Sequence, residues 1–162
     1  MEDFTNGKFQ ELIDDNYAEP KKVKRVLLCT GKVYYDLLEK QQVDKRKDVA
    51  IVRVEQLYPT PIQQIIKIKA KYEKATEFIW VQEEPENMGA WPYICRKFHG
   101  DKHFNMKVIS RLEGSSTATG FAKQHAAQQA HIVTKAFDTP AGKVVKATIK
   151  KTTEKMANAG AD

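Results

Sequence analysis

Hydrophobic residues along this chain fall in four short runs. Between the runs lie longer stretches in which apolar positions recur every three or four residues. The runs are Val23–Thr30, Val49–Gln56, Glu77–Glu84 and Asn105–Leu112. Each is rich in β-branched or aromatic residues and nearly continuous in its apolar part, which predicts strands covered on both faces. They begin at residues 23, 49, 77 and 105. That interval is what a strand–helix–strand crossover consumes.

The intervening stretches read as helices. Gly31–Gln42 sets Tyr34, Leu37 and Leu38 at one-face spacing. Pro61–Lys74 opens with proline in its first turn and directs Ile62, Ile65 and Ile66 inward. Met88–His99 places Trp91, Ile94, Cys95 and Phe98 at i, i+3, i+4 and i+7. Ala122–Phe137 aligns Ala122, Ala126, Ala130, Val133 and Phe137, and its alanines predict close packing on a neighbour. Strands alternating with helices predict an α/β fold, a three-layer α/β/α domain with a mostly parallel sheet over residues 23–138. A polar leader, residues 1–22, precedes it with one hydrophobic patch, Phe9–Ile13. A Lys- and Ala-rich tail, residues 139–162, has little to bury and is expected as an extension beyond the globule.

Composition narrows the class. Leu, Ile, Val and Phe make up 23% of the 162 residues, enough for one packed core but not for a core along the whole length. The longest apolar runs are four residues, such as Phe78–Val81, whereas a membrane helix needs roughly 20. The acidic, polar start predicts no secretory signal. Cys29 and Cys95 lie 66 positions apart, which excludes a disulfide scaffold and a zinc ribbon. A soluble, intracellular protein is expected. The net charge of +6 suggests nucleic acid at first. Residues 141–162 alone carry +3, and elsewhere both signs are mixed and the aromatics sit in strand and helix runs. A nucleic-acid binder gathers its basic residues on one element with aromatics among them. The expectation is a solvated mixed-charge surface, with no nucleic-acid or membrane partner.

Ligands of open parallel sheets bind off the carboxyl ends of the strands. Here those ends are Thr30-Gly31-Lys32, Arg53-Val54-Glu55-Gln56, Gln82–Gly89, and Ser110-Arg111 followed by Gly114–Gly120. At Thr30-Gly31-Lys32 a strand turns on glycine into a helix whose free N–H groups and dipole favour an anion. Lys32 reads either as a solvated residue after an ordinary turn or as the partner of a bound anion. Arg111 before the small-residue loop offers a guanidinium beside backbone donors, suited to phosphate or carboxylate. The alternative is a flexible loop ending in a helix cap. The run Glu83-Glu84-Pro85-Glu86 invites an acid/base reading, but neighbouring strand residues point to opposite faces, so turn residues near a helix start are favoured. His99, Asp101 and His103 lack a third strong metal ligand. Cys29 and Cys95 read as core. No nucleophile elbow or P-loop is present, so no catalytic, cofactor-binding or metal-binding residue is assigned.

At these same strand ends the chain resembles a known family. Cys29-Thr30-Gly31-Lys32-Val33-Tyr34-Tyr35-Asp36-Leu37, Asp48–Pro59 (DVAIVRVEQLYP) and Trp80–Trp91 (WVQEEPENMGAW) resemble the C-terminal domain of the first, decarboxylating component of the 2-oxoglutarate dehydrogenase complex. The leader Gly7–Asp15 (GKFQELIDD) is similar to the segment before that domain, and the resemblance covers roughly residues 5 to 138. It implies a transketolase-C-terminal-like fold and a fragment of a much longer enzyme. It implies that the parent decarboxylates 2-oxoglutarate with thiamine diphosphate and magnesium, held upstream by a G-D-G…N-type motif absent here. The parent then passes succinyl to a lipoyl group on the second component, as a step of the TCA cycle, in the cytoplasm of a bacterium or in the mitochondrial matrix. This fragment is expected to be inactive alone.

For this domain the resemblance implies packing against the upstream domains, support of the homodimer, and in some members an allosteric site for acetyl-CoA or an adenine nucleotide such as AMP. By position that site falls on Thr30, Lys32, Arg53 and Arg111. One stretch departs from the family. Where relatives read G-R-P-A-S-A-S-P-A-T-G, this chain keeps the Arg and the final A-T-G, loses the prolines and gains Glu113. A looser loop is expected, with regulation by CoA esters in question. The alternatives are a self-sufficient nucleotide- or CoA-binding regulatory module, and a pure assembly domain with Tyr58, Trp91 and Tyr93 as candidate interface residues.

Overall fold

The computed structural model describes residues 7–99 and 104–138. Five strands, β1 (Leu12–Ile13), β2 (Arg25–Cys29), β3 (Val49–Val54), β4 (Glu77–Pro85) and β5 (Met106–Arg111), form one sheet. Helices α1 (Val33–Val43), α2 (Ile62–Lys71), α3 (Trp91–Phe98) and α4 (Ala122–Ala136) occupy the connections. The sheet order is β1-β3-β2-β4-β5. Strands β2 to β5 pair in parallel, and β1 pairs antiparallel to β3. This is the three-layer α/β/α arrangement that alternating strands and helices require.

Two cores line the two faces. Val26, Leu28, Ala50, Val52, Phe78 and Trp80 point to one side, where Ile65 and Ile68 of α2 and Ile94 and Phe98 of α3 cover them. Leu27, Cys29, Val49, Ile51, Ile79 and Val81 point to the other, under Val33 and Leu37 of α1 and Ile132 and Ala136 of α4. Each large side chain so buried stabilises the fold by roughly 1.5–3 kcal/mol. All five residues of β2 are buried, as expected for the central strand. β5 lies at the edge and buries only Ile109 and Arg111, so the double-sided coverage read for the fourth run holds only in part.

The helix faces also shift. In α2 the buried stripe runs through Pro61, Ile65, Ile68 and Tyr72, while Ile62 and Ile66 are exposed. A 3.6-residue repeat started at Pro61 reaches these four and bypasses the two isoleucines. In α4, Ala122, Ala126 and Ala130 are exposed, and the inward stripe is His125, Gln129, Ile132 and Ala136, followed by Phe137. Its first half is polar because it lies over the carboxyl edge of the sheet rather than over the core.

The leader contributes more than a polar prelude. Leu12 and Ile13 register with Val54 and Arg53, and the Glu11 carbonyl accepts from the N–H groups of Glu55 and Gln56 at 3.0 Å. Beyond β1, the Asp15 carboxylate accepts from Ile51 N–H and from Gln41 Nε2, each at 2.7 Å. Asp14 accepts from the Tyr72 hydroxyl at 2.8 Å and pairs with Lys71. At the other end of the chain, Arg25 donates to the carbonyls of Lys135 and Ala136 at 3.2 and 2.8 Å while its fork grips Glu77. Arg46 donates to the Phe137 carbonyl at 2.9 Å and pairs with Asp48. Two guanidinium groups thus hold the last turn of α4, where orphan carbonyls and the negative dipole end favour cations. Residues 1–6, Gly100–His103 and the basic tail from residue 139 lie outside the described residues.

Candidate anion site at the carboxyl edge of the sheet

The parallel strands deliver their last residues to one edge. β2 ends at Cys29, and the half-buried Thr30 leads into Gly31, whose φ of +72° favours glycine. A Cβ there would meet nothing within 4 Å, so the requirement is backbone conformation rather than space. The turn places Lys32 at the start of α1. Its side chain is 66% exposed, with the ammonium 4.0 Å from Asp36 and 3.9 Å from Glu83. Glu83 reaches that point because it follows Ile79 and Val81 on the same face of β4.

Gln129 joins these carboxylates to the next strand. Its Nε2 donates to Asp36 at 2.6 Å and to Glu83 at 3.0 Å. Its Oε1 accepts from Arg111 at 3.5 Å. Arg111, at the end of β5, is only 8% exposed. It donates to Thr119 Oγ1 at 3.4 Å and meets His125 Nδ1 at 3.0 Å. Among the described residues no carboxylate lies within ion-pair distance of this guanidinium, and its Nε has no hydrogen-bond partner. A buried charge ordinarily has an opposite charge beside it.

Two cavities flank this network. One, about 560 Å³, runs between α1 and α4 and is lined by Lys32, Asp36, His125, Ala126, Gln129 and Ala130 among others. The other, about 250 Å³, lies under the small-residue loop and is lined by Arg111, Ser115 to Thr119 and Gln128. The Gln128 Oε1 is also buried without a partner. The two orphaned polar atoms at this edge, Arg111 Nε and Gln128 Oε1, therefore belong to residues of the same cavity. The loop itself is pinned at its start. Asn87 donates to the Gly114 carbonyl at 3.0 Å and accepts from Gly114 N–H at 3.2 Å, and the Arg111 carbonyl accepts from Glu86 N–H at 3.1 Å. Glu113 is exposed beside it.

Of the four residues singled out by sequence, the structure joins Lys32 and Arg111 through Gln129 and its two carboxylates. Thr30 borders them. Arg53 stands apart: it donates to Glu55 at 2.9 Å and its guanidinium lies 4.5 Å from the Tyr34 ring centre, with Tyr35 at 5.9 Å. Asp36, Glu83, His125, Gln129 and Thr119 went unassigned in the sequence reading. Asp36 at i+4 from Lys32 and the 125–129–132–136 stripe were readable signals, set among a more conspicuous run of alanines. Glu83 enters the network alone of the acidic run.

Gln82 scaffolds the loop that follows β4. It donates to the carbonyls of Pro85 and Met88 at 2.9 and 2.8 Å and accepts from Trp80 Nε1 and Trp91 N–H at 3.1 and 2.9 Å. Trp91 and Tyr93 are half-buried against the core, with the Tyr93 hydroxyl 2.9 Å from Thr60, whereas Tyr58 is 79% exposed. Cys29 is buried as read, and Cys95 is half-buried rather than core. Among the described residues no group of three His, Cys, Asp or Glu is placed to hold a metal, and no helix is long and apolar enough to cross a membrane. Asp101 and His103 lie outside the described residues.

Comparison with known proteins agrees with the resemblance in the strand-end motifs. The 2-oxoglutarate dehydrogenase C-terminal family model matches residues 1–137. The chain is 41% identical over 138 residues to the 2-oxoglutarate dehydrogenase E1 component of Haemophilus influenzae, covering 82% of this chain and 14% of that protein. It is 39% identical over 145 residues to the E1 component of Azotobacter vinelandii, covering 85% and 15%. It is 41% identical over 147 residues to the 2-oxoglutarate dehydrogenase E1/E2 component of Corynebacterium glutamicum, covering 85% and 12%. The matched region thus spans 12–15% of these relatives' own lengths. With its motifs at the strand ends, its α/β/α layers and a family match over most of its length, the chain belongs to the 2-oxoglutarate dehydrogenase C-terminal family.

Proposed function

We propose that this chain serves as the C-terminal domain of the first component of a 2-oxoglutarate dehydrogenase, carrying an anion site that reads a nucleotide or CoA ester. In this reading the parent decarboxylates 2-oxoglutarate and passes succinyl to the lipoyl group of the second component. Thiamine diphosphate and magnesium, in the same reading, belong to the upstream domains. The domain's own work is assembly with those domains and with the homodimer mate. The isolated chain is inactive.

The observation that carries the anion site is Arg111, buried at 8% exposure with no carboxylate partner among the described residues. A guanidinium kept in that state gains most from an incoming phosphate. Lys32, exposed in the neighbouring cavity between α1 and α4, supplies a second cation. Calorimetric titration of the chain with acetyl-CoA and with AMP tests this. Saturable binding that is lost in Arg111→Ala and weakened in Lys32→Ala supports it. Silence with both ligands in a folded chain rejects a self-sufficient regulator.

Assembly is favoured by a separate observation. Tyr58, Leu112 and Phe121 are all more than three-quarters exposed, at 79%, 91% and 76%. All three follow strand ends or open a helix at the same edge of the sheet. Large apolar side chains gathered on one edge mark a contact surface, which here fits the upstream domains of the same enzyme.

A further inference from the structure

Arg111 and His125 meet in a way that fixes a proton. A guanidinium has only donors. The contact of 3.0 Å between Arg111 Nη2 and His125 Nδ1 therefore makes Nδ1 the acceptor. The ring carries its one proton on Nε2 and is neutral in this arrangement. Protonating Nδ1 removes the acceptor and sets two cations against each other at that distance.

The surrounding charges come from every element packed here. Arg111 arrives from β5, Glu83 from β4, and Lys32 and Asp36 from α1. Glu39 and Lys40 of α1 line the same cavity as His125, so three positive and three negative groups balance. Gln129 donates to both Asp36 and Glu83, and among the described residues the ion-pair partner of these carboxylates is Lys32 rather than Arg111 or His125. The ring thus lacks the carboxylate partner that would stabilise its charged form. An oxyanion seated between Arg111, His125 and the free N–H groups of the first turn of α4 reverses this, since it accepts from the guanidinium and from a protonated ring together.

We infer that the anion site takes up its ligand together with a proton, and that His125 is the residue that holds the proton. The inference rests on the anion site proposed above and adds its regulation. The ligand class is a tetrahedral oxyanion of phosphate type, bound more tightly as the pH falls from 8 to 6, the range in which imidazole changes charge. By reciprocity, the anion raises the proton affinity of His125 by the same factor.

Sulfate is the probe, because its charge is constant over this range. Its dissociation constant is measured on the 162-residue chain at pH 6 and pH 8, beside the His125 ring resonance with and without sulfate. Binding roughly tenfold tighter at pH 6, within the usual span of linked sites, is expected for the native chain. His125→Asn keeps a neutral acceptor near the Nδ1 position and should bind with no such pH dependence. Equal affinity at both pH values in the native chain would overturn the proton linkage and leave the anion site standing. A pH dependence that persists in His125→Asn would overturn the assignment to His125. No sulfate binding at either pH, in a chain folded by circular dichroism, would overturn the linkage and the anion site together.

Discussion

The Asp15 carboxylate stands 2.7 Å from the N–H of Ile51, in the place where a pairing strand would present a carbonyl. β1 is only two residues long, and in antiparallel register Asp15 falls opposite Ile51, just beyond its end. The side chain therefore continues the ladder and covers an edge that would otherwise offer free donors. The same oxygen accepts from Gln41, which in turn donates to the Val49 carbonyl at 2.8 Å. Asp15→Ala should lower stability by about 2–3 kcal/mol, since it strands a backbone donor and a buried amide. Urea unfolding measures the loss, and hydrogen exchange at Ile51 should accelerate in the variant. Unchanged exchange at Ile51 would count against the ladder role.

Gly89→Ala should be unusually costly for an alanine substitution in a loop. The residue sits at φ +65°, where an L side chain costs about 1–2 kcal/mol. A Cβ there would also lie 3.1 Å from Gln82 Nε2 and 3.1 Å from Glu84 Cβ. The displaced amide is the one bonded to both tryptophan N–H groups. A thermal melt should show the loss of stability, and the near-ultraviolet signal of Trp80 and Trp91 should change with it. At Gly31, where a Cβ meets nothing, the same substitution carries only the conformational cost.

Acid should weaken the fold through the clamp on α4. Burial works to raise the Glu77 carboxyl, but the hydrogen bonds and charge of Arg25, with Lys107 beside it, outweigh burial and hold it below its ordinary 4.5. Burial likewise opposes ionisation of Asp48, and Arg46 overrides it and holds the group below 3.8. A carboxyl depressed in the folded chain stabilises it fully above the unfolded value and less as the pH falls through the folded one. The urea midpoint should be flat above about pH 5 and decline below it, the range in which these carboxyls begin to protonate. Glu77→Gln should be less stable at pH 7 with a shallower acid decline. An acid decline of unchanged slope would mean that other carboxylates govern the limb.

The two thiols should separate cleanly. Burial pushes Cys29 up to about 12, against the opposing pull of Arg53. The thiolate is the reactive form, so Cys29 should resist a thiol reagent until the chain unfolds. Cys95 is half-buried beside the cavity of Trp91 and His99. One equivalent should react in the native chain and two in denaturant. Two native equivalents would place Cys29 outside the core.

The layers were legible because buried parallel strands write themselves as apolar runs and crossovers set their spacing. What failed was phase. Ile62 and Ile66 look like core in a list of apolar residues, yet the repeat that begins at Pro61 passes between them. In α4 the sequence advertises alanine, while the inward stripe begins with His125 and Gln129. A polar stripe marks a helix overhanging a strand edge, and only the position of the edge reveals which polar residues meet. Lys32 and Arg111 were visible as isolated cations. That a glutamine joins them, while Arg53 lies on tyrosine, depends on strand order, which the chain does not spell out. β1 escaped notice because two apolar residues among acids carry almost no periodicity, although its neighbours Asp14 and Asp15 bind both helical layers.

The grip of Arg25 on the Ala136 carbonyl spans 111 residues. During synthesis Arg25 leaves the ribosome long before that carbonyl exists. Until α4 arrives, the central strand holds a guanidinium with one of its two sets of partners missing, at a position meant to be sealed. Early strands therefore gain little by settling alone, and closure waits for nearly the whole domain, as expected where distant segments must meet before either is rewarded. A chain stopped within α4 should go to proteases rather than persist as a smaller folded unit. The clamp thus makes the burial of the central strand depend on the last turn of α4, so a chain cut before that turn should be less stable than one that includes it.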